Sequence, residues 1–264
     1  MATSVIRNAT LLQEVREGVA WLTLNRPQQY NALSEELLTE LRDAFRLLAE
    51  EESLRAVVLS GAGKAFCAGH DLKEMRANPD QDYYRHLFTL CSDVMLGIRK
   101  LPVPVLARIH GIATAAGCQL VAACDLAVAS SDSRFATSGI NTGLFCSTPA
   151  VALSRNVGTK PAFEILVTGE FIDAAEAQRL GLINRVAAPD ALDREVEALL
   201  GQILNKSPVA IRTGKRMFYE QQGKALEEAY SYAAEVMACN MMAEDVGEGI
   251  DAFIQKRKAV WRGR

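Results

Sequence analysis

The sequence predicts an α/β fold, on three observations. Strand patterns alternate with helical patterns through about residue 185. Two apolar strands run into helices through elbows of small residues, at 61–72 and at 110–120. From residue 192 onward every periodic stretch is helical. Alternation of this kind argues for crossover units around one core, and a helical tail with apolar stripes needs another surface to pack on. The division read from this pattern is an α/β core over 1–190 and a helical oligomerisation region over 191–264.

Residues 11–15 and 19–24 read as a hairpin turned by Arg16-Glu17-Gly18, and Pro27 stops its second strand. Ser34 is the expected N-cap of a helix carrying Glu35 and Glu36 in its first turn, with Leu37, Leu41, Ala44 and Leu48 on the buried face. A strand at 56–59 leads into the first elbow. Asn78-Pro79-Asp80 breaks the chain before a helix over 83–100, on which His86 is read as a surface or rim residue. The strand 103–109 leads into the second elbow. Its helix, 117–124, is almost wholly apolar and so buried all round. Gln119 is the polar exception, either a satisfied core amide or a pocket-lining group. Residues 125–129 read as a strand, 135–149 as a long functional or connecting loop, and 182–186 as a short strand. Asp173 and Glu176 form a capping-box pattern, and Gly181 ends that helix.

A chain of 264 residues can bury a sizeable core. A net charge of −3 gives no electrostatic reason to expect a nucleic-acid partner. No apolar run is long enough to span a bilayer, so no membrane partner is expected. Residues 1–14 lack an apolar leader segment. The six cysteines form no C-x-x-C pair and read as reduced thiols, which sets the expectation of a cytoplasmic protein. His70, His86 and His110 lack metal-ligand spacing.

The first elbow is Ala65-Phe66-Cys67-Ala68-Gly69-His70-Asp71-Leu72. A tight turn entering a helix leaves the first N–H groups unpaired, and such groups can bind an oxygen on which negative charge develops. The second is His110-Gly111 followed by Ala113 to Leu120, whose small residues let another object approach the backbone.

These stretches resemble the crotonase, or enoyl-CoA hydratase/isomerase, superfamily. Asn25-Arg26-Pro27 with Asn31-Ala32-Leu33 is similar to its N-x-P…N-A-L opening, and the first elbow to its A-F-x-A-G-x-D-L loop. The second elbow with Asp125 is similar to its G-x-x-x-G-G-G-x-E-L…D segment. Later landmarks follow in order at 166–170, 174–184 and 248–257. The resemblance implies a ββα spiral core, a C-terminal helical trimerisation region, and a homotrimer or dimer of trimers. It implies a coenzyme A thioester as ligand and no permanently bound cofactor. The backbone N–H groups of His70 and Ala116 would form an oxyanion hole. Contacts to the coenzyme would fall on Arg26, Gln28 and Tyr30, on Ala68, Gly69, Asp71 and Leu72, on Gly111, and on Phe253 and Lys256 from the C-terminal helix of this or a neighbouring subunit.

Two positions depart from the family's pattern. Gln119 and Gly139 stand where a hydratase of the family carries its two glutamates. An amide does not exchange protons near neutral pH, and acid–base groups supply about 10²–10⁴-fold each, so hydration is expected to be nearly abolished. Three readings follow. One is another enolate-stabilised thioester reaction, decarboxylation or hydrolysis, assisted by Asn141, Thr142, Cys146, Ser147 or a water on Gln119. The second is acyl-CoA binding without catalysis. The third, chemically weakest, is hydration by carboxylates supplied elsewhere, such as Asp71 or Asp125.

Overall fold

The computed structural model describes residues 4–7 and 9–264. Residues 1–3, part of the stretch read as lacking a leader, lie outside them. The strands are β1 (Ser4–Arg7), β2 (Leu11–Arg16), β3 (Val19–Leu24), β4 (Ala56–Gly61), β5 (Val105–Ile109), β6 (Ile112–Thr114), β7 (Leu126–Ser130), β8 (Arg134–Ala136), β9 (Ile172–Asp173) and β10 (Arg185–Ala187). The helices are α1 (Glu35–Ala49), α2 (Leu72–Ala77), α3 (Gln81–Lys100), α4 (Ala116–Ala123), α5 (Ser147–Leu153), α6 (Thr159–Thr168), α7 (Ala174–Arg179), α8 (Leu192–Leu204), α9 (Pro208–Gln221), α10 (Leu226–Met241) and α11 (Glu244–Ile254).

The chain forms two compact units. One comprises residues up to Leu101 together with Val105–Val196; the other comprises Pro102–Pro104 and Glu197–Arg264. The first contains a seven-stranded sheet ordered β1-β2-β3-β4-β5-β7-β10 and a small sheet ordered β6-β8-β9. The β2–β3 hairpin is antiparallel and turns through Glu17 and Gly18, both at positive φ (51° and 77°). From β3 to β10 the large sheet is parallel. Each parallel step needs a crossover, and α1 supplies the one from β3 to β4. All residues of β4 and β5 except Ser60 and Arg108 are buried, because both sheet faces are covered.

Local signals place several helices as expected. The Ser34 side chain accepts from the Leu37 N–H, and α1 buries Leu37, Leu41, Ala44 and Leu48. Asp173 accepts from the Glu176 N–H at 2.8 Å, and Gly181 follows α7 at φ 85°. Seven of the eight residues of α4 are buried, Gln119 among them. Two expectations need correction. The stretch 135–149 is not a loop: it holds the end of β8, a 3-10 turn at Ser138–Thr142, and the start of α5. The strand read at 182–186 begins only at Arg185, because the Asn184 side chain takes the Ala127 N–H at 2.7 Å before the ladder starts.

Asn31 ties the entry segment to the first elbow. It is fully buried; its Nδ2 donates to the Ala62 and Ala65 carbonyls, both at 2.8 Å, and its Oδ1 accepts from the Arg26 N–H at 2.9 Å. Its φ of 56° is a left-handed conformation that Asn tolerates better than alanine. Asn31→Ala is expected to cost about 3 kcal/mol or more, since it strands three polar groups and keeps the unfavourable φ. Urea denaturation checks this; a loss below about 1 kcal/mol would show that the elbow holds itself.

Candidate active site

Both elbows open from the carboxyl ends of parallel strands, β4 and β5, where parallel sheets commonly bind ligands. The first is clamped from two sides. Leu33 donates to the Gly69 carbonyl at 2.7 Å and accepts from the Asp71 N–H at 3.2 Å. Cys67 donates to the Ile112 carbonyl at 3.1 Å and accepts from the Thr114 N–H at 3.0 Å. With residues 69 and 71 both turned toward Leu33, the intervening His70 N–H points the other way, as in any parallel bridge. Ala116 is the first residue of α4, so its N–H has no partner within the helix. Neither amide donates to another turn, loop or cap.

The elbows interlock. A Cβ built on Gly69, at φ 93°, would lie 2.8 Å from the Ala115 Cβ and 3.2 Å from the Ala116 nitrogen. A Cβ on Gly117 would lie 2.1 Å from the Cys67 carbonyl oxygen. Ala115, immediately before α4, has φ 49° and ψ −120°, a region costly for any residue with a Cβ. Strain of this kind persists only where the surroundings impose it, and here it sets the direction of the following amide.

A pocket of about 230 Å³ lies beside these amides. Ala68, His70, Ala115 and Ala116 form its elbow side. Leu72 and Met75 of α2 and Phe88 of α3 add an apolar wall. The 138–149 segment closes it with Ser138, Gly139, Thr142, Cys146, Ser147 and Thr148 in the lining. No Asp or Glu is among the described residues that line it. No described group of His, Cys, Asp and Glu is arranged to hold a metal ion.

The candidate residues separate into those brought to this pocket and those held elsewhere. Gln119 does not line it; it lies beneath Thr148, whose hydroxyl donates to its Oε1 at 3.2 Å. It is therefore the satisfied core amide of the two alternatives. Gly139 does line the pocket, and it is confined. A Cβ there would stand 2.8 Å from the Cys146 Sγ and 2.9 Å from the Leu144 carbonyl oxygen. Asp71 caps α2, accepting from the Lys73 and Glu74 N–H groups, and pairs with Arg26 at 2.8 Å. Arg26 also donates to the Ala32 carbonyl. Asp125 accepts from the Val105 N–H at 2.6 Å. Both carboxylates are thus taken by structural work outside the pocket lining. Gln28 and Tyr30 are exposed, and Gly111, at φ 62°, borders a separate open cleft of about 490 Å³. Phe253 and Lys256 belong to the C-terminal unit, where Phe253 is 85% exposed. His86, as expected, is exposed and meets Glu35 at 3.0 Å.

What sequence reasoning missed is the state of the His70 side chain. Its ring stands edge-on to Phe88, with centroids 5.3 Å apart. Both ring nitrogens are shut off from solvent and lack a hydrogen-bond partner. Burial pulls the imidazole down from 6.5 to about 4, and the Leu33 carbonyl opposes this weakly without reaching hydrogen-bond geometry. Between those values the unfolded chain takes up a proton that the folded chain refuses. Stability should therefore fall by roughly 3 kcal/mol as pH drops from above 6.5 to below 4. His70→Leu is expected to remove that part of the slope, read as denaturation midpoints at pH 7 and pH 4.5; an unchanged slope contradicts it. Asp71 acts lower on the scale. Its burial is outweighed by Arg26 and the capping amides, so its carboxyl titrates below the ordinary range, and its contribution persists until pH falls through that lowered value.

The comparisons with known proteins bear on this geometry. A model of the enoyl-CoA hydratase/isomerase family matches residues 14–264. The chain belongs to the enoyl-CoA hydratase/isomerase family. It is 47% identical over 246 residues to mitochondrial enoyl-CoA hydratase domain-containing protein 3 of Mus musculus, covering 93% of this chain and 82% of the mouse protein. The crystal structure of an enoyl-CoA hydratase from Mycobacterium smegmatis superimposes with a TM-score of 0.95 at 61% identity, covering 96% of this chain and 99% of that one. The structure of human enoyl-CoA hydratase domain-containing protein 3 does so with a TM-score of 0.91 at 42% identity, covering 98% and 99%. The crotonase fold is thereby shown. The cytoplasmic expectation is corrected: the vertebrate relatives are named mitochondrial. The six cysteines are free, and free thiols do not distinguish cytosol from mitochondrial matrix. Among the described residues no helix is long and apolar enough to cross a membrane.

Proposed function

We propose that the chain binds an acyl-CoA thioester between its two elbows and stabilises its enolate without hydrating an enoyl group. The thioester oxygen accepts from the His70 and Ala116 N–H groups. The observation that most supports this is the pair of unpartnered amides beside a pocket with no carboxylate in its lining. Two pre-oriented donors are worth several kcal/mol to a developing enolate, about 3 kcal/mol each in a dry site.

Decarboxylation is the reaction that needs least beyond this. In a 2-carboxyacyl (malonyl-type) thioester the bond from the α-carbon to the carboxylate breaks, CO2 leaves, and the electron pair passes into the thioester as an enolate. A proton from water then completes the α-carbon. No general base is required, and the apolar wall of Leu72, Met75 and Phe88 favours loss of a buried charge. Thioester hydrolysis needs a base to activate water, and the imidazole at hand is too weak a base at about 4. Burial likewise raises the Cys146 thiol, which removes it as a ready nucleophile.

A homotrimer or dimer of trimers, joined through the helical region 191–264, accompanies this reading. Exposed apolar side chains on its helices support it, with Leu226 at 74% and Met237 at 70% exposure. The test offers crotonyl-CoA and malonyl-CoA in parallel. Enoyl absorbance is expected to persist with the first, and CO2 release to occur with the second. Hydration of crotonyl-CoA at ordinary hydratase rates overturns the proposal, as does failure to bind any CoA ester by calorimetry. Binding of both esters without CO2 release would identify an acyl-CoA-binding module instead.

A further inference from the structure

The His70 imidazole is the pocket's unexplained group. It is a wall of the site, its two nitrogens are buried, and nothing in the chain satisfies them. Buried polar atoms left in this condition are rare and costly, and in the wall of a pocket a ligand can complete their bonding. The other polar side chains nearby are differently placed. The hydroxyls of Thr142 and Thr148 already donate within the chain, to the Gly139 carbonyl and to Gln119. Ser138 is engaged with Thr114 at 2.7 Å.

We infer that the His70 side chain reads the acyl group, through a hydrogen bond to an oxygen carried on the third carbon of the acyl chain, so that the ligands are carboxyacyl or hydroxyacyl thioesters rather than plain alkanoyl ones. This rests on the acyl-CoA reading above, and deepens it. If the amide of residue 70 holds the thioester oxygen, its own ring lies within one side-chain length of the first acyl carbons. A neutral imidazole offers one N–H and one lone pair. That suits a carboxylate oxygen, which takes the N–H, and a hydroxyl, which can use either nitrogen. The torsion that turns the ring is broad, so a nitrogen can swing toward the ligand at little cost. An alkyl chain would leave the ring as unsatisfied as it is now. The position also explains a histidine in an otherwise apolar wall, where Phe88 supports it edge-on.

The experiment measures affinities of malonyl-CoA, 3-hydroxybutyryl-CoA and butyryl-CoA on the full chain, the first by stopped-flow binding before turnover and the other two by calorimetry, with His70→Leu and His70→Gln beside it. Both substitutions keep the backbone N–H. The intact protein is expected to prefer the two oxygenated esters about tenfold to a hundredfold over butyryl-CoA. In His70→Leu that preference should collapse toward unity while butyryl-CoA still binds; in His70→Gln part of it should remain. If His70→Leu does not fold, the intact protein and His70→Gln still decide. Equal affinities in the intact protein overturn the inference and leave acyl-CoA binding standing. A preference undiminished in His70→Leu also overturns it. Failure of every ester to bind overturns both readings together.

Discussion

Gly117→Ala is expected to abolish acyl-CoA binding and to destabilise the chain by about 3 kcal/mol or more. The added Cβ would sit 2.1 Å from the Cys67 carbonyl oxygen, and the atom it meets is backbone, with no flexible end to swing aside. Relief requires the two elbows to separate. Cys67 is fastened to Ile112 and Thr114 by the hydrogen bonds that hold those elbows together, so separation breaks them. It also moves the His70 and Ala116 amides apart, and a displacement of about 1 Å is enough to cost a site two orders of magnitude. Gly97→Ala is the control. Its Cβ would meet the Phe45 ring of α1 at 3.5 Å, an ordinary contact, and a gain of about 0.5–1 kcal/mol is expected for this position within α3. Denaturation midpoints and calorimetric titration with a CoA ester read both variants.

Placing glutamate at both departing positions, Gln119→Glu with Gly139→Glu, is expected to leave crotonyl-CoA hydration undetected, at least about 10⁴-fold below a site with two working acids. From sequence alone the double substitution looks like a restoration. The structure gives two reasons against it. Side chain 119 lies under Thr148 and outside the pocket lining, so a carboxylate there would be buried away from the substrate. At 139 the first side-chain atom already collides with the Cys146 Sγ and the Leu144 carbonyl. The segment has closed over the place where the second acid would stand. Spectrophotometric hydration by the double variant would show that this segment moves aside.

Features set by neighbouring residues were legible in the sequence. The Ser34 and Asp173 caps and the hairpin turn at Glu17-Gly18 depend on spacings of four residues or fewer, and the buried α4 on one short apolar run. The two elbows were legible as sites of unpaired amides for the same reason. Features set by distant pairing were not. β6, β8 and β9 have two or three residues each, too few for a periodicity, and exist because the chain brings them side by side. The fate of Gln119 depends on Thr148, twenty-nine residues away. Confinement at Gly139 depends on how the turn at Ser138–Thr142 folds back on Cys146. The unmet imidazole of His70 is legible only once Phe88 and Leu33 are seen around it.

The account stands on two backbone amides polarising one thioester carbonyl. Difference infrared spectroscopy of bound butyryl-CoA, with carbon-13 at the carbonyl, observes that bond alone. A carbonyl stretch displaced to lower frequency on binding is the predicted result. A bound carbonyl that absorbs at its solution frequency or above would contradict the account.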